Sequence, residues 1–278
     1  MSADPAVSAR KPARVRLDEL LVARGLAATR GEAARLILAG RVRVTGARAD
    51  KAGHLLRADA PVDLVGAAPY VGRGGEKLEA ALDAFAVTPR DRVCLDVGAS
   101  TGGFTDCLLK RGARHVYAVD VGHGQLHPRL RSDPRVTVLE GVNARDLDPS
   151  RFDPPPTLAT IDVAFISLEK VLSAVAACLV PPEAGAPPDI LALVKPQFEV
   201  GRGQVGKGGV VRDPQRHREV LLRLADFAAT HALGPRGVVA SPLRGPKGNR
   251  EFFLYLHPGG QAIAWERIEA AVAEAVGG

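Results

Sequence analysis

The segment that organises this chain is Cys94-Leu-Asp-Val-Gly-Ala-Ser-Thr-Gly-Gly-Phe104, which is followed by the short run Val116-Tyr-Ala-Val-Asp120. An apolar run enters a glycine-rich turn, a helical pattern follows, and a second apolar run ends on a carboxylate. This order predicts a β-turn-α-β unit, in which a glycine turn lets a ligand lie against bare backbone. The carboxylate of Asp120 can accept both hydroxyls of a ribose. The unit therefore predicts a site for an adenosine-containing cofactor.

The spacing of the glycines favours one cofactor over another. Dinucleotide-binding turns read G-x-G-x-x-G and place a helix N-terminus against a pyrophosphate. Here the spacing is G-x-x-x-G-G, and Asp96 lies inside the end of the first strand, where an acid suits a cationic, amino-acid-bearing ligand better. We therefore predict S-adenosylmethionine rather than NAD. The alternative is an ordinary tight turn in an α/β domain.

The composition is that of a soluble globular protein. Of 278 residues, 46% are apolar and 24% are charged. No apolar stretch is long enough to cross a membrane, and the first residues lack the apolar segment of a secretion signal. The cysteines form no C-x-x-C pair, and His123 and His127 have no evident third ligand, so we expect neither disulfides nor a metal site. We expect a cytoplasmic monomer that binds no membrane.

Positive charge is concentrated near the N-terminus. Residues 1–66 contain 12 Lys or Arg and seven Asp or Glu, and so carry five of the six net positive charges of the chain. A codon bias toward arginine would raise the count, but it would not cluster the charge. The clustering indicates a polyanionic partner for this part of the chain.

The basic region has the order helix, helix, strand. Leu17, Leu20 and Leu21 recur at helical spacing, Thr29-Arg-Gly-Glu32 can start a second helix as a capping box, and Arg41-Val-Arg-Val-Thr45 alternates like a strand. Residues 14–66 resemble an S4-type RNA-binding domain. That resemblance implies an RNA-facing surface on which arginines contact phosphates without reading the base sequence. The residues it implies are Arg16, Arg30, Arg35, Arg41 and Arg43.

From residue 93 onward, strand and helix signals alternate. This alternation predicts an α/β fold with a doubly wound, mostly parallel, seven-stranded sheet. The predicted organisation is a flexible tail, the S4-type domain, a linker and one large Rossmann-like domain, with boundaries at 1–13, 14–66, 67–72 and 73–278.

Four ionisable residues are predicted to meet at one edge of this sheet. Asp162 and Lys195 end two parallel strands, and ligands bind at the carboxyl ends of such strands. If the last strand runs antiparallel, its first residue, Glu251, returns to the same edge. Lys77, on the helix before the first strand of the sheet, can reach over that edge.

This set suits methylation of a ribose 2′-hydroxyl, which must lose a poorly acidic proton while its oxygen attacks an activated methyl group. A second ammonium and partial desolvation favour a neutral lysine, which can act as the base. Alternatively, the ammonium stabilises the developing alkoxide. The two acids would orient the lysines and offset their mutual repulsion.

A Lys-Asp-Lys-Glu set together with Asp96-Val-Gly-Ala-Ser-Thr-Gly-Gly-Phe-Thr105 resembles the FtsJ-type ribose 2′-O-methyltransferases. With the S4-type domain in front, the chain resembles the TlyA family of ribosomal-RNA methyltransferases, some of which are labelled haemolysins. The resemblance implies S-adenosylmethionine, Lys195 as the central catalytic residue, and cytidine 2′-O-methylation in assembled ribosomal subunits. The cofactor residues implied are Asp96, Gly98, Ser100, Thr101, Gly102, Gly103, Phe104, Asp120 for the ribose and Asn143 near the adenine.

The family pattern leads us to expect a serine where this chain has Gly72. Two other functions stay open: an RNA-binding assembly factor without catalysis, and a membrane-active haemolysin, against which the lack of a strongly amphipathic basic helix argues. The glycine-rich loop 200–209 is either a lid over RNA phosphate or a plain surface loop. It is not a phosphate-binding Walker loop, because Gly208 stands where serine or threonine is needed.

Overall fold

The computed structural model describes residues 14–66, 69–182, 186–201, 205–206 and 208–277. The predicted tail 1–13, part of the predicted linker and part of the glycine-rich loop 200–209 lie outside the described residues. The chain divides into two compact units between Pro69 and Tyr70.

The N-terminal unit is a small α+β fold. Its elements are β1 (Arg14–Arg16), α1 (Leu17–Ala23), α2 (Arg30–Leu38), β2 (Val42–Val44), β3 (Ala47–Arg48), β4 (Leu55–Arg57) and β5 (Val62–Leu64). Strands β1 and β4 pair with each other, and a second antiparallel sheet has the order β3-β2-β5. The Thr29 hydroxyl accepts from the Glu32 N–H at 3.1 Å and caps α2, as the sequence predicts. Apolar residues from both helices, including Leu17, Leu21 and Ile37, form the core.

The C-terminal unit contains the large sheet. Its strands are β6 (Val93–Val97), β7 (His115–Asp120), β8 (Val136–Glu140), β9 (Leu158–Ile161), β10 (Asp189–Val194), β11 (Pro235–Ala240) and β12 (Phe252–Leu256). Its helices are α3 (Gly74–Ala84), α4 (Gly103–Lys110), α5 (Pro128–Arg131), α6 (Leu172–Ala177), α7 (Pro196–Glu199), α8 (Pro214–Thr230) and α9 (Trp265–Gly277).

Seven strands form this sheet within the described residues, in the order β11-β12-β10-β9-β6-β7-β8. The pairs from β10 to β8 are parallel, and β12 runs antiparallel between β10 and β11. Alternate residues of β6 and β10 belong to two separate apolar clusters, so both faces of the sheet are covered. The α/β fold class with a mostly parallel seven-stranded sheet is confirmed.

The strand directions bring distant residues to one edge. The carboxyl ends of β6, β7, β9 and β10 point the same way, and Val194 at the end of β10 pairs with Phe252 at the start of β12. Glu251 directly precedes Phe252. The predicted return of Glu251 to the edge that carries Lys195 is therefore confirmed.

Candidate active site

One ion pair lies at the ends of the two central strands β9 and β10. The Lys195 Nζ lies 2.5 Å from Asp162 Oδ1, and it also donates a hydrogen bond of 3.0 Å to the Val163 carbonyl. The parallel pairing of β9 and β10 brings these two residues to the same edge of the sheet. The lysine is held by an acid and a carbonyl on the neighbouring segment, so its head has a fixed position.

A cavity of about 520 Å³ opens beside this pair. Asp120, at the end of β7, contributes a carboxylate to its wall, and each oxygen of that carboxylate accepts one backbone N–H: Ser100 at 2.8 Å and Gly122 at 2.7 Å. These two bonds fix the orientation of the acid and leave lone pairs free on both oxygens. The wall consists of residues 97–98, 100, 119–121, 125, 142–145, 162–166 and 195.

A second ion pair is closed off from solvent. The Lys77 Nζ donates to Glu251 Oε2, and the exposed fractions of the two side chains are 10% and 0%. Glu251 Oε1 is buried and has no hydrogen-bond partner among the described residues. A Cβ added to Gly245 would lie 1.9 Å from that oxygen, so the backbone at this glycine packs directly against the carboxylate.

The four predicted site residues therefore form two separate pairs. The structure joins Lys195 to Asp162 and Lys77 to Glu251. In the described part of the chain, no hydrogen bond or ion pair joins one pair to the other. The wall of the large cavity includes the first pair and not the second.

The glycines of the turn after β6 pack closely against neighbouring segments of the protein. Gly98 has a φ of +87°, and a Cβ there would lie 2.6 Å from the Asp162 carbonyl oxygen. A Cβ on Gly102, where φ is +95°, would meet Leu126 and Leu130. The backbone of Gly103 packs against residues 72–75 at the start of α3. These close approaches set the turn against the segments that carry Asp162 and Lys77.

Asp96 is not among the residues that line the cavity, and its role as a cofactor residue stays a prediction. Its side chain is fully buried and accepts hydrogen bonds from the hydroxyls of Thr105 at 2.6 Å and Thr160 at 3.2 Å. Burial, together with the nearby charge of Asp162, raises the pKa of Asp96 to about 7. The acid lies behind the cavity wall, where it braces β6 against β9 and α4.

The remaining predicted cofactor residues, apart from Gly102, line one or both of two neighbouring cavities. Ser100 and Asn143 line the large one, and the Asn143 side chain accepts from the Arg145 N–H at 3.1 Å. Thr101, Gly103 and Phe104 line a smaller cavity of about 110 Å³ that shares Gly98, Ser100 and Asp162 with the first.

Gly72 has a steric explanation. A Cβ at this position would lie 2.8 Å from the Thr101 Oγ1. Glycine at residue 72 therefore leaves room for the Thr101 side chain in the turn after β6.

Phe165 carries no distinctive signal in the sequence, since it lies in an ordinary apolar run. In the structure its ring is 90% exposed, it has a φ of +64°, and it lines the large cavity near Lys195. Its ring centroid lies 5.0 Å from that of Phe198. A large exposed aromatic ring at the mouth of a cavity indicates a contact surface.

The predicted RNA-facing arginines differ in their surroundings. Arg16 and Arg30 both form ion pairs with Asp18, at 2.8 Å and 3.2 Å, and the Arg16 hydrogen bond lowers the pKa of Asp18 to about 2. Arg41 and Arg43 donate to backbone carbonyls. Arg35 is exposed and has no partner among the described residues.

The Arg250 side chain is bound at the end of α9. Its guanidinium donates to the carbonyls of Val276 at 2.8 Å and Ala275 at 3.0 Å, at the end of α9. Over the described ranges there is no cluster of side chains suited to a metal ion, and none of the helices described has the length and apolarity to cross a membrane.

Two domain families match this chain. Residues 70–257 match the FtsJ-like methyltransferase family, and residues 15–62 match the S4 domain. The two matches fall on the two compact units of the structure.

Curated relatives match nearly the full length. The 16S/23S rRNA (cytidine-2'-O)-methyltransferase TlyA of Mycobacterium tuberculosis is 48% identical over 266 residues, which cover 95% of this chain and 97% of that protein. Hemolysin A of Brachyspira hyodysenteriae is 39% identical over 242 residues, 87% of this chain and 99% of that protein. A solved structure from Streptococcus thermophilus, described as a candidate hemolysin, has a TM-score of 0.72 and 41% identity and covers 94% of this chain and 95% of its own.

Proposed function

Because this chain belongs to the FtsJ-like methyltransferase family, in the group that carries an S4 domain in front, we propose that it methylates ribose 2′-hydroxyls of ribosomal RNA. The observation that carries the proposal is the Lys195–Asp162 pair in the wall of the large cavity. The target nucleotide is proposed to be a cytidine, by similarity to the methyltransferases named above. The reaction would take place in the cytoplasm, on ribosomal subunits.

The cavity fits S-adenosylmethionine as the methyl donor. The Asp120 carboxylate keeps lone pairs free for two ribose hydroxyls, and Asn143 lies farther along the same wall, where an adenine would extend. The buried Asp96 stays behind the wall and would act on the site only by holding β6 and β9. When bound, the cofactor supplies an electrophilic methyl group.

The residues of the chain supply orientation and charge. Lys195, fixed by Asp162 and the Val163 carbonyl, would contact the acceptor hydroxyl, where it takes up the proton or stabilises the alkoxide that forms. Lys77 and Glu251 would stabilise the edge of the sheet next to Lys195. Phe165 offers a ring on which the base of the acceptor nucleotide can stack.

The N-terminal unit would hold the RNA by its phosphates. Arg35, Arg41 and Arg43 present positive charge that no described acid neutralises, whereas Arg16 and Arg30 share Asp18. Replacing Arg35 should weaken RNA binding uniformly across sequences and reduce its salt dependence by about one phosphate contact. Filter binding at several salt concentrations measures this.

The decisive experiment is the transfer of labelled methyl from S-adenosylmethionine to purified small and large ribosomal subunits. Ribose methylation makes the neighbouring linkage resistant to alkali, so label in alkali-resistant dinucleotides would support the proposal and identify the subunit. RNA binding without any transfer would instead support an assembly factor. Leakage of dye from liposomes by the purified protein would support the membrane-active alternative.

A further inference from the structure

Two segments leave the carboxyl edge of the sheet side by side. The aspartate arm, residues 162–168, follows β9 and supplies Asp162 and much of the cavity wall. The lysine arm, residues 195–199, follows β10 and consists of Lys195 and α7. Within the described residues, positions 163–166 make no backbone–backbone hydrogen bonds. The position of the aspartate arm must therefore be set by side chains.

The carboxylate of Glu199, on the lysine arm, accepts two hydrogen bonds from the far end of the aspartate arm. Glu199 Oε2 accepts from the Ser167 hydroxyl at 2.7 Å, and Glu199 Oε1 accepts from the Leu168 N–H at 2.8 Å. The near ends of the arms are joined by the Lys195–Asp162 pair. The two arms are thus tied at both ends, once by the proposed catalytic pair and once by Glu199.

Glu199 also contacts an arginine on the long helix α8. Arg223, on the long helix α8, donates to the Glu199 carbonyl at 2.8 Å and lies 3.5 Å from Oε2. The other end of the same guanidinium pairs with Glu169. These contacts fix the lysine arm to α8, so the Glu199 carboxylate is a rigid anchor.

Burying the Glu199 carboxylate lowers the stability of the folded protein. Only 2% of the Glu199 side chain is exposed, and burial raises its pKa. An apolar residue of similar volume could fill the space without that cost. What an apolar residue could not do is accept two hydrogen bonds from the other arm.

We propose that Glu199 is a positioning residue for methyl transfer: it fixes the aspartate arm against the lysine arm and so maintains the contact between Asp162 and Lys195. This inference rests on the proposed function, because it concerns the geometry of the same reaction. Glu199 touches neither acceptor nor cofactor in this scheme and acts through the two arms. A misplacement of reacting groups by about 1 Å can lower a rate about 100-fold, so this restraint matters for catalysis.

The test compares three variants with a matched control. Glu199→Ala removes both bonds between the arms, Ser167→Ala removes one, and Glu199→Gln keeps a carbonyl oxygen for the Leu168 N–H. The control is Glu169→Gln, which breaks an ion pair with the same Arg223 but leaves the bonds between the arms intact. Two quantities are measured for each protein: hydrogen exchange of the peptide covering residues 162–168, and kcat and KM for methyl transfer to ribosomal subunits.

We expect Glu199→Ala to speed exchange of the aspartate arm and to lower kcat by about tenfold or more, with KM changed by less than about threefold. Ser167→Ala should show a smaller effect, and Glu199→Gln should recover part of the loss. If Glu199→Ala does not fold, the kcat and exchange rates of Ser167→Ala and Glu199→Gln test the proposal instead. If Glu199→Ala had the same kcat and the same exchange rate of residues 162–168 as Glu169→Gln, the proposal would be overturned. Absence of methyl transfer by the unmodified protein would instead refute the proposed function, while hydrogen exchange would still report whether Glu199 restrains the arm.

Discussion

The two lysine–carboxylate pairs use the same residue types at the same edge of the sheet, yet they are placed differently. Lys195 and Asp162 line the cavity, with 13% and 23% of their side chains exposed, whereas Lys77 and Glu251 are closed off, and Glu251 is fully buried. The first pair can meet a substrate directly. The second pair leaves little surface for a substrate to contact, and its catalytic role stays a prediction. Similar residues in a motif therefore need not share a role.

The largest effect is expected at the exposed pair. Under the proposed function, Lys195→Ala should lower kcat by about 10³-fold, because it would remove the group that takes up the proton of the acceptor hydroxyl or stabilises its charge. The affinity for S-adenosylmethionine, measured by calorimetry, should change little, since Asp120 and Asn143 remain. Lys170→Ala, an exposed lysine on a neighbouring turn, is the control and should retain activity. Full activity in Lys195→Ala would remove the distinction between the pairs.

The buried pair should show its effect first in stability. Lys77→Met alone leaves a buried carboxylate without its partner and should lower the free energy of unfolding by about 3–5 kcal/mol. The double variant Lys77→Met/Glu251→Gln should recover most of that loss, and urea unfolding measures both. We expect the double variant to fold and still to transfer methyl poorly. If it were as active as the unmodified protein, the pair would be purely structural.

Asp96, which is buried behind the exposed pair, provides a test through the pH dependence of stability. Its pKa of about 7 in the folded state exceeds the ordinary value of 3.8, so the folded protein binds the extra proton and loses stability as pH rises between these values. Asp96→Asn has no such titration. Its stability relative to the unmodified protein should therefore increase by about 2–3 kcal/mol from about pH 5 to about pH 8. A pH-independent difference in urea unfolding would show that Asp96 stays ionised throughout this range.

The smallest effect is expected from a substitution that disturbs the packing around the buried Lys77–Glu251 pair. In Gly245→Ala the new Cβ would displace Glu251 Oε1, which lies 1.9 Å from that position. We expect a loss of stability of about 1–3 kcal/mol and a modest fall in kcat, with cofactor affinity unchanged. Gly248→Ala is a control for the loop, since a Cβ there meets nothing within 4 Å, although its φ of +88° adds some strain. Equal effects of the two substitutions on kcat would argue against a specific role for the contact at Gly245.

The parts of the molecule that the sequence predicts well depend on periodicity and strand direction. Alternation of apolar runs with helical patterns is enough to predict the sheet, and an antiparallel last strand is enough to return Glu251 to the edge of Lys195. The sequence does not predict which lysine pairs with which acid, because that pairing depends on the distances between side chains in the folded protein. No local pattern could show that Thr105 and Thr160 enclose Asp96, since one hydroxyl lies on a helix and the other on a neighbouring strand.

Glu199 and Phe165 illustrate the same limit. Both lie in unremarkable local sequence, and their importance arises from contacts between two segments about 30 residues apart, such as the 31 positions between Leu168 and Glu199. Glycine positions are only partly informative. Gly98 is predictable as a turn residue, but its reason for being glycine, the nearby Asp162 carbonyl, is visible only in three dimensions.

The position of β12 has a consequence for the order of assembly during synthesis. This strand follows β11 in the sequence, yet it lies between β10 and β11 in the sheet. Lys77 and Glu251 are 174 positions apart in the sequence. A nascent chain that has emerged through β10 has the glycine turn, Asp162 and Lys195, but it lacks Glu251, and its sheet ends in an unpaired strand. Enzymatic competence would therefore arrive late and abruptly, when the last strand inserts. An incomplete polypeptide still attached to its ribosome would carry the arginines of the N-terminal unit but would lack the Lys77–Glu251 pair.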